Sequence, residues 1–381
     1  MRTLLLAGLA SSVLCSSLAA QSAPAGWMPT LSGVLEPAGP AGRRAPSLGV
    51  LETLSALERV RLTDLGVPGA EDLVVELDRV RAFNGNSRAS IEGADPVTVY
   101  AAVGNRYSTF GGEVAGHPNS RVFLAFSELG ARGWIHYDGR TVHLLPEKAG
   151  QGPVLASRFA DDADIAHHFP AERAQCGART EDGRDPGPQT GDPTGFSGGA
   201  GSFDPHCIME LVLETDAAYR SNFNSNAAAA QYALDIAAAM SATYQADAGT
   251  EIIVSQLNVY NNATDPYNGT SPNTLLSEIQ NRWQDGLISQ GDAAMVLSDH
   301  PGGGVAYLNT LCGGNAVGAC CGVSGDTPFP LFQGPLNWDF VVSAHELGHI
   351  CATSHTHNYC PPIDQCAPSG YFGNCQTSQV C

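Results

Sequence analysis

The sequence predicts an α/β (α+β) domain over residues 206–381 that ends in a helix, preceded by a β-rich domain over residues 21–172. Three observations predict it. From Cys207 onward, runs at strand period and runs at helical period alternate. Between about residues 47 and 150, short runs alternate apolar and polar positions and are broken by Gly, Pro and Asn. Between these two regions lies a stretch with no apolar periodicity at all.

The N-terminus, MRTLLLAGLASSVLCSSLAA, carries Arg2, an apolar run, and the small residues Ala19 and Ala20 near a plausible cut. Residues 1–20 are therefore expected to be a signal peptide, and the protein to be secreted. No later stretch of about twenty apolar residues follows, so no membrane span is expected. The β-rich region is read from DLVVELDRV, PVTVYAAV, SRVFLAFSEL, GWIHYDG and RTVHLLPE, each taken as a strand. It reads either as a propeptide, since it follows the signal and precedes the C-terminal domain, or as an independent β-sandwich adhesion module.

Residues 173–205 are rich in Gly, Pro, Ser, Arg and Asp and read as an exposed linker. Arg179 and Arg184 make it an expected site of maturation cleavage. From Cys207 the order is a strand at Ile208 to Leu213, an alanine-rich helix at Ala227 to Tyr244, and a strand at Glu251 to Tyr260. A helix at Pro272 to Leu287 and a short buried strand at Ala293 to Leu297 follow. Asn337 to Ala352 reads as a last helix, with Asn337 as N-cap and Asp339 suited to the positive end of the helix dipole. Asn262-Ala263-Thr264 and Asn268-Gly269-Thr270 match the glycosylation triplet, a weak signal.

The net charge is −19, with Lys148 as the single lysine. From His206 onward Arg220 and Arg282 stand against fifteen acidic residues. Such a surface repels nucleic acid and anionic membranes, which excludes those partners. Ten of the eleven cysteines follow the signal segment, and they crowd toward the C-terminus, as in an oxidising compartment. Disulfides are expected, with no pairing assignable. Without Cys176, the C-terminal domain holds nine, an odd number that leaves a free thiol or a missing partner.

The chemistry is carried by HELGHICATSH, residues 345–355. His345 and His349, four apart on a helix, share one face and can grip one zinc ion. Glu346 then lies beside the metal to take a proton from water. HExxH alone is a modest signal; His355, ten residues after the first histidine, narrows it by supplying a third ligand once the helix ends. No glutamate follows Glu346 and the one later acid is Asp364, so a downstream glutamate ligand is nearly excluded. His357 competes for the ligand role and reads better as an outer or exposed histidine. Three protein ligands leave the open position of a catalytic zinc.

HELGHICATSH resembles the HExxHxxGxxH signature of the metzincins and, within them, of the reprolysin-like (adamalysin) zinc metallopeptidases. MELVLETDAAYRSNF, residues 209–223, is similar to that family's first strand and helix approach, and GGVAYLNTLCGG, residues 303–314, to its edge strand. The order around GGEVAGHPNSRVFLAFSELGARGWIHYDGRTVHLLPE resembles the propeptide of these zymogens. The resemblance implies a twisted mixed sheet with an active-site helix, one catalytic Zn2+ on His345, His349 and His355, Glu346 as general base, and a protein or peptide substrate. It implies that Gly304, Val305, Ala306 and Tyr307 pair with the substrate backbone. Cys176-Gly177 resembles a cysteine switch, in which a thiolate takes the open zinc position; a disulfide from Cys176 to Cys207 or an unpaired buried thiol are the alternatives.

Two departures stand out. Where the family has glycine at a sharp turn, this chain has Ala352, which in a left-handed conformation costs on the order of 1 kcal/mol or more. The family's methionine turn follows the third histidine, whereas Met1, Met28, Met209, Met240 and Met295 all precede it. The catalytic domain is therefore expected to be C-terminally incomplete. The alternative function is a secreted binding or adhesion protein with a degenerate, inactive domain of this type.

Overall fold

The structure, a computed structural model, describes residues 28–37, 44–66, 72–146, 155–159, 176–179, 207–288, 291–300, 303–311, 316–321 and 338–355. The signal peptide, the linker apart from Cys176–Arg179, Asn337, His357 and the region past His355 lie outside these residues.

Apolar–polar alternation becomes strand wherever one face can be buried. In chain order the first half gives β1 (Thr30–Ser32), β2 (Leu35–Pro37), β3 (Arg44–Pro46), α1 (Leu48–Ser55), β4 (Arg59–Thr63), β5 (Val75–Val80) and β6 (Arg88–Ile91). It continues with β7 (Val97–Thr98), α2 (Val99–Val103), β8 (Ser108–Val114), β9 (His117–Ser127), β10 (Gly130–Tyr137), β11 (Arg140–Pro146) and β12 (Leu155–Phe159). After β13 (Cys176–Arg179) come β14 (Cys207–Thr215), α3 (Ala217–Ser221), α4 (Asn226–Ala248), β15 (Thr250–Val259) and α5 (Pro272–Gln284). The chain then forms β16 (Ala293–Ser298), β17 (Gly304–Tyr307), β18 (Val317–Cys321) and α6 (Trp338–Ile350).

Two sheets result among the described residues. The first has strand order β1-β4-β5-β8-β9-β10-β11-β12-β3-β2 and buries Leu62, Leu77, Phe110, Leu124, Phe126 and Ile135. The second is mixed, in the order β13-β17-β18-β16-β14-β15-β6-β7. Its centre, β15-β14-β16, is parallel, with β16 buried throughout, and β17 runs antiparallel to β18. The elements expected over the second half are observed with shifts of a few residues at the ends, but β18 was not expected, and Cys176–Arg179, read as part of an exposed linker, is a strand of the second sheet.

One expected strand and one stretch of the strand-rich region are corrected. PVTVYAAV holds only Val97–Thr98 as strand, because the Thr98 hydroxyl accepts the Ala101 N–H at 3.3 Å and caps α2. Residues 48–55, inside the region read as strands, form α1, which Ser47 caps and which buries Leu51 and Leu54 at helical spacing. A further departure is longer in range. β6, with β7 on its other side, leaves the first sheet and pairs in parallel with β15, Gln256 against Arg88 and Val259 against Ile91.

α4 is the central helix. Ser225 caps its start, Gly249 ends it in the left-handed conformation, and every residue from Ala228 to Ser241 is buried. A helix covered on all sides needs small residues, and its alanines supply them. It packs against β15 and also against β5, β8 and β9 of the first sheet. At the closest approach a Cβ on Gly111 would stand 3.1 Å from Ala242 Cβ.

Candidate metal centre

α6 buries Phe340, Val342, Leu347 and Ile350 toward the core. The four-residue spacing then stacks His345 and His349, with ring centroids 4.5 Å apart. His355, beyond the helix end, places its ring 5.0 Å from that of His345 and 4.7 Å from that of His349. One ring nitrogen from each of the three lies within 4.8 Å of the others. His349 Nε2 and His355 Nε2 stand 3.2 Å apart. Two nitrogens bound at about 2.0–2.1 Å to a tetrahedral zinc stand about 3.4 Å apart, so the donor set fits this ion.

The helix end explains how His355 returns. Ala352 N–H donates to His349 O at 3.0 Å and Thr353 N–H to Gly348 O at 3.0 Å, the bonding pattern of a helix closed by one left-handed residue. That residue is Ala352, at φ +74°. The turn therefore keeps its sharp form with alanine in place of glycine. The remaining helix carbonyls are satisfied by the segment after β17: Asn309 N–H donates to His349 O, and the Thr310 and Leu311 N–H groups to Ile350 O. Left-handed strain of about 1–2 kcal/mol exceeds the chain entropy of about 0.5–1 kcal/mol that glycine adds to the unfolded state. Ala352→Gly should therefore stabilise the fold by about 0.5–1 kcal/mol, read as a higher urea midpoint. A lower midpoint would contradict this account of the turn.

The same turn orients a ligand. His349 Nδ1 lies 2.7 Å from Thr353 O, and a carbonyl can only accept. The proton therefore sits on Nδ1, and Nε2 keeps its lone pair on the side of the other imidazoles. Burial pushes the His349 pKa below the ordinary imidazole range, against the pull of the Thr353 carbonyl, and favours the neutral form a metal needs.

Glu346 is fully buried in the same helix. Gly304 faces it from β17: a Cβ there would overlap Glu346 Oε1 and stand 2.7 Å from Glu346 Cγ and from Val342 Cγ2. Glycine at 304 is thus a requirement of the close approach between strand and helix. Val305, Ala306 and Tyr307 complete β17 and are buried. On the edge away from β18, this strand pairs in parallel with β13, Cys176 against Gly304 and Arg179 against Tyr307. The edge expected to receive a substrate is held by the chain's own Cys176–Arg179. Cys207 is exposed and free, so it is not bonded to Cys176. Cys351 is also free, its thiol pushed up to about 11 by burial.

Three supporting residues escape sequence reasoning. Tyr244 of α4 donates its hydroxyl to Ala344 O of α6 at 2.9 Å. Tyr232, one turn and more before the middle of α4, donates to Asp339 Oδ2 at 2.5 Å. Asp339 sits in the first turn of α6 as expected, but it is buried, and burial raises its pKa to about 8. Thr353 acts through its backbone carbonyl, for which no side-chain signal exists.

Residues 206–380 match the model described as Reprolysin_5, metallo-peptidase family M12, and this region is a metzincin-like metallopeptidase domain. Members of this family are zinc-dependent peptidases, and the match supports a zinc protease with peptide substrates. Among solved structures the chain is similar to metalloproteinase-II from Bacteroides fragilis, at 12% identity over 86% of this chain and 88% of that one, with a TM-score of 0.46. It is also similar to part of a chaperone–substrate complex, at 15% identity over 46% of this chain and 28% of that one, with a TM-score of 0.30. The assignment rests on the family match and not on these distant likenesses. No curated protein matches the chain. No helix among the described residues is long and apolar enough to cross a membrane.

Proposed function

We propose that the protein is a secreted zinc endopeptidase made as a latent zymogen, with His345, His349 and His355 as the zinc ligands and Glu346 as the general base. The observation that carries this reading is the meeting of three imidazole nitrogens within 4.8 Å, with the buried Glu346 next to His345 in the same helix, in a domain of the M12 family. Zinc held there supplies Lewis acidity, polarising the scissile carbonyl and making water acidic near neutral pH. Glu346 takes the proton of the attacking water and passes it to the leaving amine. Thr353 keeps His349 in the tautomer that presents Nε2. Gly304 leaves the room in which the Glu346 carboxylate sits.

Substrate binds by adding a strand to β17, using Gly304, Val305, Ala306 and Tyr307. β13 holds that edge, which supports latency: no second strand can pair there until β13 leaves. Cys176 is the residue opposite Gly304, one inter-strand spacing of about 4.8 Å away in the backbone, and Gly304 adjoins Glu346. This register favours Cys176 as the switch residue that holds the metal in the zymogen. Residues 21–172 are the propeptide in this reading, and a cut after Arg179 or Arg184 releases the edge. The signal-like N-terminus supports export.

The test is to cut the chain in the linker and follow hydrolysis of an unstructured protein such as casein. Cleavage should rise on cutting, stop with 1,10-phenanthroline and return with added zinc. A cut chain that holds zinc and cleaves nothing would favour the inactive adhesion module instead.

A further inference from the structure

We infer that the N-terminal β-sheet is a permanent subunit of the protease: after the linker is cut, residues 30–146 remain bound to the metallopeptidase domain, and only β13 leaves.

Four contacts argue for it. The backbone comes first. β6 is an internal strand of the second sheet, between β15 and β7, so removing residues 21–172 would unzip the edge of that sheet. Two further backbone bonds join the regions, Glu92 N–H to Val259 O at 2.6 Å and Val254 N–H to Ala82 O at 2.7 Å.

A buried ion pair comes second. Arg132 of β10 donates to Asp235 Oδ2 of α4 at 2.7 Å, and Tyr107 donates to Asp235 Oδ1 at 2.8 Å. The Arg132 and Asp235 side chains are only 9% and 6% exposed. Burial pushes the Asp235 carboxyl up, and the guanidinium opposes it. Separation would leave each partner without the other, the arrangement that buried pairs tolerate least.

The third contact is apolar. Trp134 of β10 packs on Phe340 of α6 with centroids 5.1 Å apart, and on Phe123 at 5.0 Å. Val80, Phe123 and Trp134 belong to the same buried cluster as Ala229, Tyr232, Phe340 and Leu347. Fourth, Gln231 of α4 donates to Val103 O of α2 at 2.8 Å, in a buried position.

Retention also bears on the metal helix. Arg132 lies over the Tyr232 ring at 5.4 Å, Tyr232 holds Asp339, and Trp134 holds Phe340. The first sheet thus braces the first turn of α6. β13, by contrast, joins the domain through β17 and a contact with α6. Latency and bracing are therefore separate tasks of the N-terminal region.

The inference takes from the proposed function only the cut in the linker. The experiment places a site-specific protease sequence near residue 190 of the full chain, cuts it, and applies the product to gel filtration at about micromolar concentration. Both pieces should elute together in one-to-one ratio without denaturant, whether or not the product cleaves a substrate. Two separate peaks, or an N-terminal piece alone in solution with the other precipitated, would overturn it. In the cut protein, Arg132→Met should weaken association on the order of a hundredfold, and the added Asp235→Leu should recover most of that loss. A single substitution that leaves association within twofold would count equally against the interface.

Discussion

Glu346→Gln should lower hydrolysis of a peptide substrate by about a thousandfold while leaving the zinc content of the protein unchanged. The amide keeps the shape of the side chain in its buried place between Val342 and Gly304 but cannot accept and carry a proton. Glu346→Ala should give the same loss. The control is metal analysis of the same preparation, because the proposed ligands are the three histidines and not Glu346. Turnover within a few fold of the wild type would remove Glu346 as the base. Loss of zinc along with activity would instead make it part of the metal's support.

Gly304→Val should produce the second large loss, on the order of a hundredfold in turnover, since displacing a reacting group by about 1 Å has an effect of this size. A Cβ at this position would meet the carboxylate and methylene of Glu346 and a methyl of Val342. The helix side is packed by Leu347 and Ile350, so the strand and the carboxylate must shift. β17 and the Glu346 carboxylate are displaced together, so the substrate strand and the base of the proposed mechanism are lost at once. Zinc binding should persist, since the atoms nearest this Cβ belong to Glu346 and Val342 and not to the histidines. Turnover within twofold of the wild type, with the protein folded, would show that β17 and Glu346 are not coupled as the packing implies.

The meeting of His345, His349 and His355 was legible because the physics is local. Four residues make one helical turn and a little more, so His345 and His349 had to share a face. A third histidine beyond a helix-breaking run had to return from a turn. Ala352 was legible as the odd residue of that turn, and its φ of +74° bears this out. What could not be read is non-local. Nothing in Arg88–Ile91 says that it joins a strand more than 160 residues later. The helix at Val99–Val103 depends on one hydroxyl cap and on Gln231 of another element. α4 reads as a core-facing helix, but its burial on every side depends on a sheet from the other half of the chain. The departure at Ala352, which favoured an inactive module, loses that force because the turn closes with its hydrogen bonds intact.

Metal analysis of the purified full chain tests the central claim most directly. The account predicts about one zinc per chain, and its loss in both His349→Ala and His355→Ala at unchanged secondary structure. A wild-type chain that binds no zinc when offered it, or a His349→Ala chain that keeps all of it, would contradict the assignment of these histidines.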